Sequence, residues 1–513
     1  MLRWHIDPQD CSPQYLEDLA TAYWYSEVLF AAIEMDLFTL LERTGKTAAE
    51  IADALGFSCQ GTERFLAALR ALGLVMESGG YYYNAAVSSE YLVRGKNGYQ
   101  GNSILWRKML VRSWRGIMDC LKAGGRVDYP EDEDPEEQRS RIQQYIRAMD
   151  DVAREKTKEI VPFFENIFSE GELLDVGCGS GAVAAGFLER FPSLKGTLVD
   201  LPVVLEFTKN LIQERGYSGR VSYCGCNILE LWPLPVEHFD LIILSNIVHA
   251  YSEREIPQIL KQAARCLNRR GFLLVHDFFP EHYPEKAALF DLNMLINTYN
   301  GRIFPADWVK SRLADEGLFV TELVPLKSDT ALIVASKDRS RLEGLRLDPV
   351  SRLVQKIYSL GFKNVVAISP CDVQVSDWVD LRCRFGCSSY GSPHCPPNSP
   401  TPEKTRKVLG CYNSALLLEG EPPTGKFQRL VLDAEREAFL AGYHKALAFW
   451  AGPCSLCKEC ASDGKCRNSK HARPSMEASG IDVFETVRRA GLSVRTLKDR
   501  AEYVKYFALL LLE

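Results

Sequence analysis

The glycine turn Gly177-Cys178-Gly179-Ser180-Gly181 separates an apolar run ending in Asp175-Val176 from the helix-forming stretch AVAAGFLERF. Glycines at alternate positions let a backbone turn sharply and approach a ligand with no Cβ in the way. Asp200 closes the next apolar run, 19 residues beyond Gly181. A carboxylate at that distance can accept hydrogen bonds from ribose hydroxyls. Asp175, Gly177, Gly179, Gly181 and Asp200 are therefore candidate cofactor-binding residues. Because Gly177-x-Gly179-x-x-Ala182 also satisfies a dinucleotide fingerprint, the turn alone leaves S-adenosylmethionine (SAM) and NAD both open.

A second chemistry is written in cysteine. Of 16 cysteines, seven are scattered over the first 347 residues and nine fall from Cys371 onward. Cys454-x2-Cys457-x2-Cys460-x5-Cys466 has the tight spacing of ferredoxin-type [4Fe–4S] ligation, whereas zinc sites usually present two separated pairs. Upstream, Cys383-x3-Cys387-x7-Cys395 is followed by Pro396-Pro397. Three thiolates need a fourth ligand, for which Cys371 and Cys411 are the candidates. Cys371 lies in a polar, turn-rich stretch, while Cys411 precedes an apolar run and reads as a buried small hydrophobe. The expectation is thus one or two [4Fe–4S] clusters, with Cys371 completing the upstream one. The radical-SAM signature C-x3-C-x2-C fails at Tyr390, and no corrinoid-binding D-x-H-x-x-G occurs. If the glycine turn serves methyl transfer from SAM, that step is redox-neutral, and clusters would serve a structural, electron-supplying or sensory role.

These residues sit in a chain of 513, too long for one core, with 46% hydrophobic and 25% charged residues. Thr47-Ala-Ala-Glu50 is a capping box opening the helix Ala48–Leu55. A second helix, a Gly79-Gly80 turn and Tyr81-Tyr82-Tyr83 complete a winged-helix pattern. Acidic residues outnumber basic ones over positions 1–100, which opposes phosphate neutralisation and argues against nucleic acid as a partner. The acidic stretch 128–137 reads as a solvated loop, and an amphipathic helix follows it. From Leu173, apolar runs at 173–177, 197–200, 221–225, 239–245 and 271–276 alternate with helices, implying a mostly parallel sheet covered on both faces. Runs at 319–326 and 330–336 should pair antiparallel. The charged stretch 338–350 reads as a linker. Neither a signal peptide nor a membrane-length apolar run is present, so a cytoplasmic location without membrane contact is expected.

The winged-helix start, LLDVGCGSG, VDLP (199–202), FDLIILSNIVHAYSE (239–253) and GFLLVHDFF (271–279), in this order, resemble the plant-type O-methyltransferase family, which includes caffeate and acetylserotonin O-methyltransferases. The resemblance implies SAM as cofactor, a small-molecule methyl acceptor, and a homodimer formed through the N-terminal domain. By position it implies that Gly177, Gly179 and Gly181 face the methionine part of SAM and Asp200 its ribose. Asn227 falls where the family has an aspartate for the adenine amino group. His249 matches the general base that deprotonates the acceptor hydroxyl; a neutral imidazole suits that task. A histidine merely packing or capping a helix is the bland alternative. The family's histidine is oriented by a glutamate in the segment corresponding to 301–305, but GRIFP has no carboxylate there. Asp277 and Glu281 lie near in sequence without a defined place opposite His249, which keeps thiol and carbon acceptors open beside hydroxyl. The Cys383/Cys387/Cys395-Pro-Pro block and CRNSKHARPSMEASGIDV resemble an uncharacterised family of predicted metal-binding domains. The expected organisation is multidomain: a winged-helix dimerisation domain (1–105), a seven-stranded α/β Rossmann-like methyltransferase domain (106–337, with leading helices to 170), the linker, and a small α+β iron–sulfur domain (351–513). The rival reading is a redox-responsive regulator or electron carrier, with a redox partner protein, that keeps the methyltransferase core as a scaffold.

Overall fold

The computed structural model describes residues 13–127, 134–164, 167–345, 349–457, 466–496 and 504–513. They form two compact units, residues 21–347 and residues 348–513, and residues 13–20 cluster with the second.

In the first unit the capping box forms as expected: the Glu50 amide donates to Thr47 Oγ1 and the Thr47 amide to Glu50 Oε2 at 2.7 Å. The helix Cys59–Ala71 follows, capped by Ser58. Strands β1 (Val75–Ser78) and β2 (Tyr81–Asn84) make the hairpin. Gly79 and Gly80 both take positive φ, 61° and 83°, the conformation that a two-residue turn matching strand twist requires. A Lys46–Tyr82 bridge adds a third edge to the wing.

The large sheet of this unit contains β3 (Gly171–Val176), β4 (Leu194–Asp200), β5 (Val221–Gly225), β6 (Phe239–Ser245), β7 (Leu267–Asp277), β8 (Phe319–Val320), β9 (Val324–Pro325) and β10 (Ala331–Ser336). Its order is β5-β4-β3-β6-β7-β10-β8, with β9 also on β10. The strands through β7 run parallel and β10 is antiparallel to β7. The sheet has eight strands rather than seven, because the run 319–326 breaks into two short strands on one neighbour. The central strands are buried on both faces: one core contains Leu174, Val176, Ile242 and Leu244, the other Leu173, Leu241, Ile243 and Leu274. β3 lies between β4 and β6, so all its neighbours release their chains at the same carboxyl edge, where ligands bind in such sheets.

The expected linker starts later than the charge pattern suggests. Asp338 caps a short helix, Arg339–Glu343, and Leu345 is buried in the core of the first unit. Burial of that one leucine outweighs the polar composition around it.

The second unit is an antiparallel sheet of β11 (Asn364–Ile368), β12 (Ala415–Gly420), β13 (Leu447–Phe449) and β14 (Tyr506–Leu511), in the order β11-β12-β14-β13. Helices Pro349–Tyr358 and Thr424–Leu440 cover one face. The other face packs on Val373, Leu409, Met476 and Val487. No helix among the described residues is long and apolar enough to cross a membrane.

Candidate functional site

The glycine turn is pinned from the neighbouring strand. The Gly177 and Cys178 amides both donate to the Val199 carbonyl, at 2.8 and 3.0 Å, and the Gly179 amide donates to Asp200 Oδ2 at 2.9 Å. Asp200 Oδ1 accepts from the Leu201 amide at 2.7 Å. Burial raises the Asp200 pKa, and these two N–H groups oppose that shift. All three glycines have positive φ, between 51° and 71°. Their surroundings differ: a Cβ on Gly177 would stand 2.3 Å from Ile247 Cδ1, and one on Gly181 3.0 Å from Leu198 and Ile212, whereas one on Gly179 meets open space. Gly177 and Gly181 thus serve close packing, and Gly179 faces the space open to a ligand.

Asp175 is corrected to a structural part. It is 2% exposed, and its Oδ2 accepts from the Ala184 amide at 3.3 Å, below the helix that follows the turn. Burial pushes its pKa up to about 7, opposed by that amide and reinforced by Asp200. Asn227 is exposed two residues after β5, one strand from Asp200, and its Oδ1 accepts from the Leu229 amide at 3.1 Å.

His249 sits on a short 3-10 turn, Val248–Ala250, just past β6. Its Nδ1 lies 2.5 Å from Asp277 Oδ1, and its amide donates to Asp277 Oδ2 at 3.1 Å. Asp277 ends β7, 2% exposed, and also accepts from the Phe278 amide at 2.8 Å. The orienting carboxylate absent from 301–305 therefore comes from the end of the adjacent strand. Segment 301–305 does run past the histidine, since a Cβ on Gly301 would fall 2.5 Å from the His249 carbonyl oxygen. Glu281 instead accepts from the Ala306 amide at 2.9 Å.

Phe278 and Phe290 stack at 4.0 Å, and the His249 ring meets Phe290 edge-on at 5.1 Å. Tyr251 is raised to about 12 by burial, with Asp200, Glu255 and Tyr145 adding negative charge, which puts it within electrostatic reach of the turn. His276, beside Asp277, is no second base. Both its nitrogens are bonded, to Ser245 Oγ and Thr330 Oγ1 at 2.8 Å each, and burial pushes its pKa down to about 3.

One of these residues, Asp277, was named from the sequence without a place, and another, Asn246, was not named at all. Asp277 needed knowledge that β6 and β7 are neighbours, with Ser245 opposite His276. Asn246 adopts φ +57°, and its Oδ1 is buried with no hydrogen-bond partner among the described residues. An asparagine directly after a strand was the available signal, because asparagine tolerates the left-handed region. The open space at Gly179, the half-buried Asp200 and the unpartnered Asn246 oxygen fit a polar nucleoside ligand at the carboxyl edge.

In the second unit, Cys383, Cys387 and Cys395 line a single cavity of about 660 Å³. Cys383 lies in the last turn of the helix Asp377–Gly386, and Cys387 is the extended residue directly after it. Burial raises the Cys383 thiol pKa, with negative charge on Cys387, Glu477 and Asp380 adding to it. Cys371 is corrected: it is exposed on the turn Pro370–Asp372 and does not line the cavity. Cys411 is exposed rather than buried, because the apolar strand begins only at Ala415, and its thiol donates to the Lys407 carbonyl at 3.4 Å. Cys454, Cys457 and Cys466 are half-buried, and Cys457 Sγ accepts from Asn468 Nδ2 at 2.9 Å. Cys460 lies outside the described residues. Among the described residues, no three His, Cys, Asp or Glu side chains are gathered about one point as ligands of a single ion.

Three family models match the chain consecutively: an O-methyltransferase dimerisation domain over 17–94, an O-methyltransferase domain over 122–314, and a predicted metal-binding protein over 366–512. Residues 17–94 and 122–314 thus carry the two domains of an O-methyltransferase. The 3-hydroxy-5-methyl-1-naphthoate 3-O-methyltransferase of Streptomyces sahachiroi is 29% identical over 312 residues, 59% of this chain and 90% of that protein. Bovine acetylserotonin O-methyltransferase is 26% identical over 57% of this chain and 89% of its own. Human N-acetylserotonin methyltransferase, solved in complex with SAM, shares the fold with a TM-score of 0.57, at 24% identity over 64% of this chain and 99% of that one. The O-methyltransferase match ends at residue 314, and the metal-binding match covers the second unit separately.

Proposed function

We propose that the chain transfers the methyl group of SAM to a hydroxyl oxygen of a small, ring-bearing acceptor, with His249 as general base. The observation that carries this is the 2.5 Å contact between His249 Nδ1 and Asp277 Oδ1. A proton held between those atoms leaves Nε2 as the nitrogen with a lone pair, and the amide bond to Asp277 fixes the turn that aims it. The stacked Phe278 and Phe290 beside the imidazole offer an aromatic wall for a flat acceptor. Nε2 takes the hydroxyl proton as the oxygen bonds to the methyl carbon; the carbon–sulfur bond breaks and its electrons return to sulfur. Asp277 balances the imidazolium so formed. Gly179 and Asp200 hold the nucleoside end of SAM, Asn246 contributes its unpartnered oxygen, and Asn227 accepts from the adenine amine. The acceptors named for the relatives, a hydroxynaphthoate and acetylserotonin, accord with this reading.

The dimerisation match supports a homodimer, as do exposed apolar side chains in the helical part, including Tyr23, Trp24, Met109 and Met118. The second unit is read as a metal-binding domain carrying iron–sulfur clusters. Cys383, Cys387 and Cys395 would serve one cluster, and Cys454, Cys457, Cys460 and Cys466 the other. The intact His249–Asp277 pair favours an enzyme over a scaffold that has lost its chemistry.

Turnover with labelled SAM against a panel of hydroxylated aromatic acceptors tests the activity. His249→Ala should cut kcat about 10²–10⁴-fold, the usual contribution of a general base, with SAM affinity unchanged. Near-wild-type turnover in that variant would overturn the hydroxyl reading and leave a thiol or carbon acceptor.

A further inference from the structure

The cysteine-lined cavity contains a donor that cysteine counting passes over. Glu477 lines it together with Cys383, Cys387 and Cys395, and Glu477 Oε2 is buried without a hydrogen-bond partner among the described residues. A buried carboxylate oxygen with no donor or cation beside it is costly. The backbone that carries it is held firmly. Ser399 Oγ donates to the Ala478 carbonyl at 2.5 Å and Thr405 Oγ1 to the Ser479 carbonyl at 2.7 Å. The Ser376 amide donates to the Gly480 carbonyl at 2.9 Å, and Cys383 Sγ lies 3.9 Å from the Glu477 carbonyl. The turn bearing Glu477 is thus tied to the chain on both sides of the three cysteines.

Building on the metal-binding reading above, we propose that Glu477 is the fourth ligand of the upstream site, completing a three-cysteine, one-carboxylate set around an iron–sulfur cluster. The donors line a roomy cavity without converging on one point. One ion would need them all at about 2.0–2.3 Å from a single centre, whereas a cluster spreads its ligands because each binds a different iron. Three thiolates and a carboxylate concentrate negative charge, and Arg382, Arg495 and Lys505 line the same cavity to offset it. The competing donor is His394, whose Nε2 is also buried without a partner among the described residues. His394 does not line the cavity.

The test uses the full chain, reconstituted anaerobically with ferrous iron and sulfide, and reads iron per chain, the Mössbauer spectrum and far-UV circular dichroism. Glu477→Ala should hold fewer irons than wild type, with Mössbauer parameters changed at one iron and the backbone spectrum kept. Glu477→Cys should restore the iron and turn the odd iron sulfur-like, which a merely structural glutamate would not do. Cys371→Ser and Cys411→Ser should match wild type. The inference is overturned if Glu477→Ala and Glu477→Cys both keep wild-type iron and spectrum while Cys387→Ser loses iron, or if His394→Ala reproduces the loss instead. Retention of all iron by Cys387→Ser, or stoichiometric zinc with no iron uptake, would remove the metal-site reading itself.

Discussion

The two units hold their chemical groups in opposite ways. In the methyltransferase unit the groups proposed to act are bonded to one another and to backbone: His249 to Asp277, Asp200 to the Gly179 and Leu201 amides, Asp277 to three donors. In the cysteine unit three thiols and a carboxylate line one cavity, and one oxygen of that carboxylate is buried with no hydrogen-bond partner among the described residues. A site whose geometry is set by strand ends is finished when the sheet folds. A site whose donors surround a space is finished by what enters it. The contrast matches the chemistry, since proton abstraction needs a fixed angle whereas metal ligation brings its own bonding energy to gather donors.

The largest effect that sharpens the contrast is expected at Asp277. Asp277→Asn leaves the shape but lets the imidazole adopt the wrong tautomer. It should lower kcat about 10²-fold, within the range of a general base, with an unchanged melting temperature. A large loss of stability with little loss of turnover would make the pair structural and break the comparison. Next is Gly179→Val, which combines a left-handed φ with a branched side chain in the open space; the strain alone is about 1–2 kcal/mol. Calorimetry with S-adenosylhomocysteine should show affinity down at least about tenfold. Gly177→Ala should instead lower stability by about 1–3 kcal/mol through the clash with Ile247.

Metal removal should act more locally. Chelator treatment is expected to raise hydrogen exchange in segments 376–400 and 466–480 while β11, β12 and β14, with their own buried cores, stay protected. Increased exchange in the methyltransferase sheet as well would mean the units are not independent. The last signature is in the pH dependence of stability. His276 stays neutral down to about 3, so between about 6.5 and 3 the unfolded chain binds a proton the folded chain refuses, and stability falls on acidification. Asp175 keeps its proton up to about 7 and acts with the opposite sign from about 4 to 7. Denaturant titrations of the single variants should separate them. His276→Gln should flatten the loss of stability on acidification, and Asp175→Asn should steepen it.

What was legible in the sequence was local. The Thr47–Glu50 box, the Gly79-Gly80 turn and the glycine turn each specify their geometry within a few residues, and each appears where expected. The relations between distant segments were not. Asp277 orients His249 from 28 positions away because β6 and β7 lie side by side. Glu477 reaches the cavity from a stretch about ninety residues past Cys387, and spacing rules for cysteine carry no information about a carboxylate. Composition also misled at 338–345, where one buried leucine decides the boundary that charge seemed to mark.

The close approach of Gly301 to the His249 carbonyl bears on how this active site can change over generations. A side chain at 301 would collide with the backbone of the histidine's own turn. A glutamate at 301 is therefore excluded while the turn keeps its course. The carboxylate beside His249 comes instead from the tip of β7. Placing one at 301 would mean shifting segment 301–305 and the turn Val248–Ala250 together. Chimeras that exchange only one of these segments with a glutamate-bearing relative should lose the base, while exchange of both, with Asp277 freed to vary, should keep it.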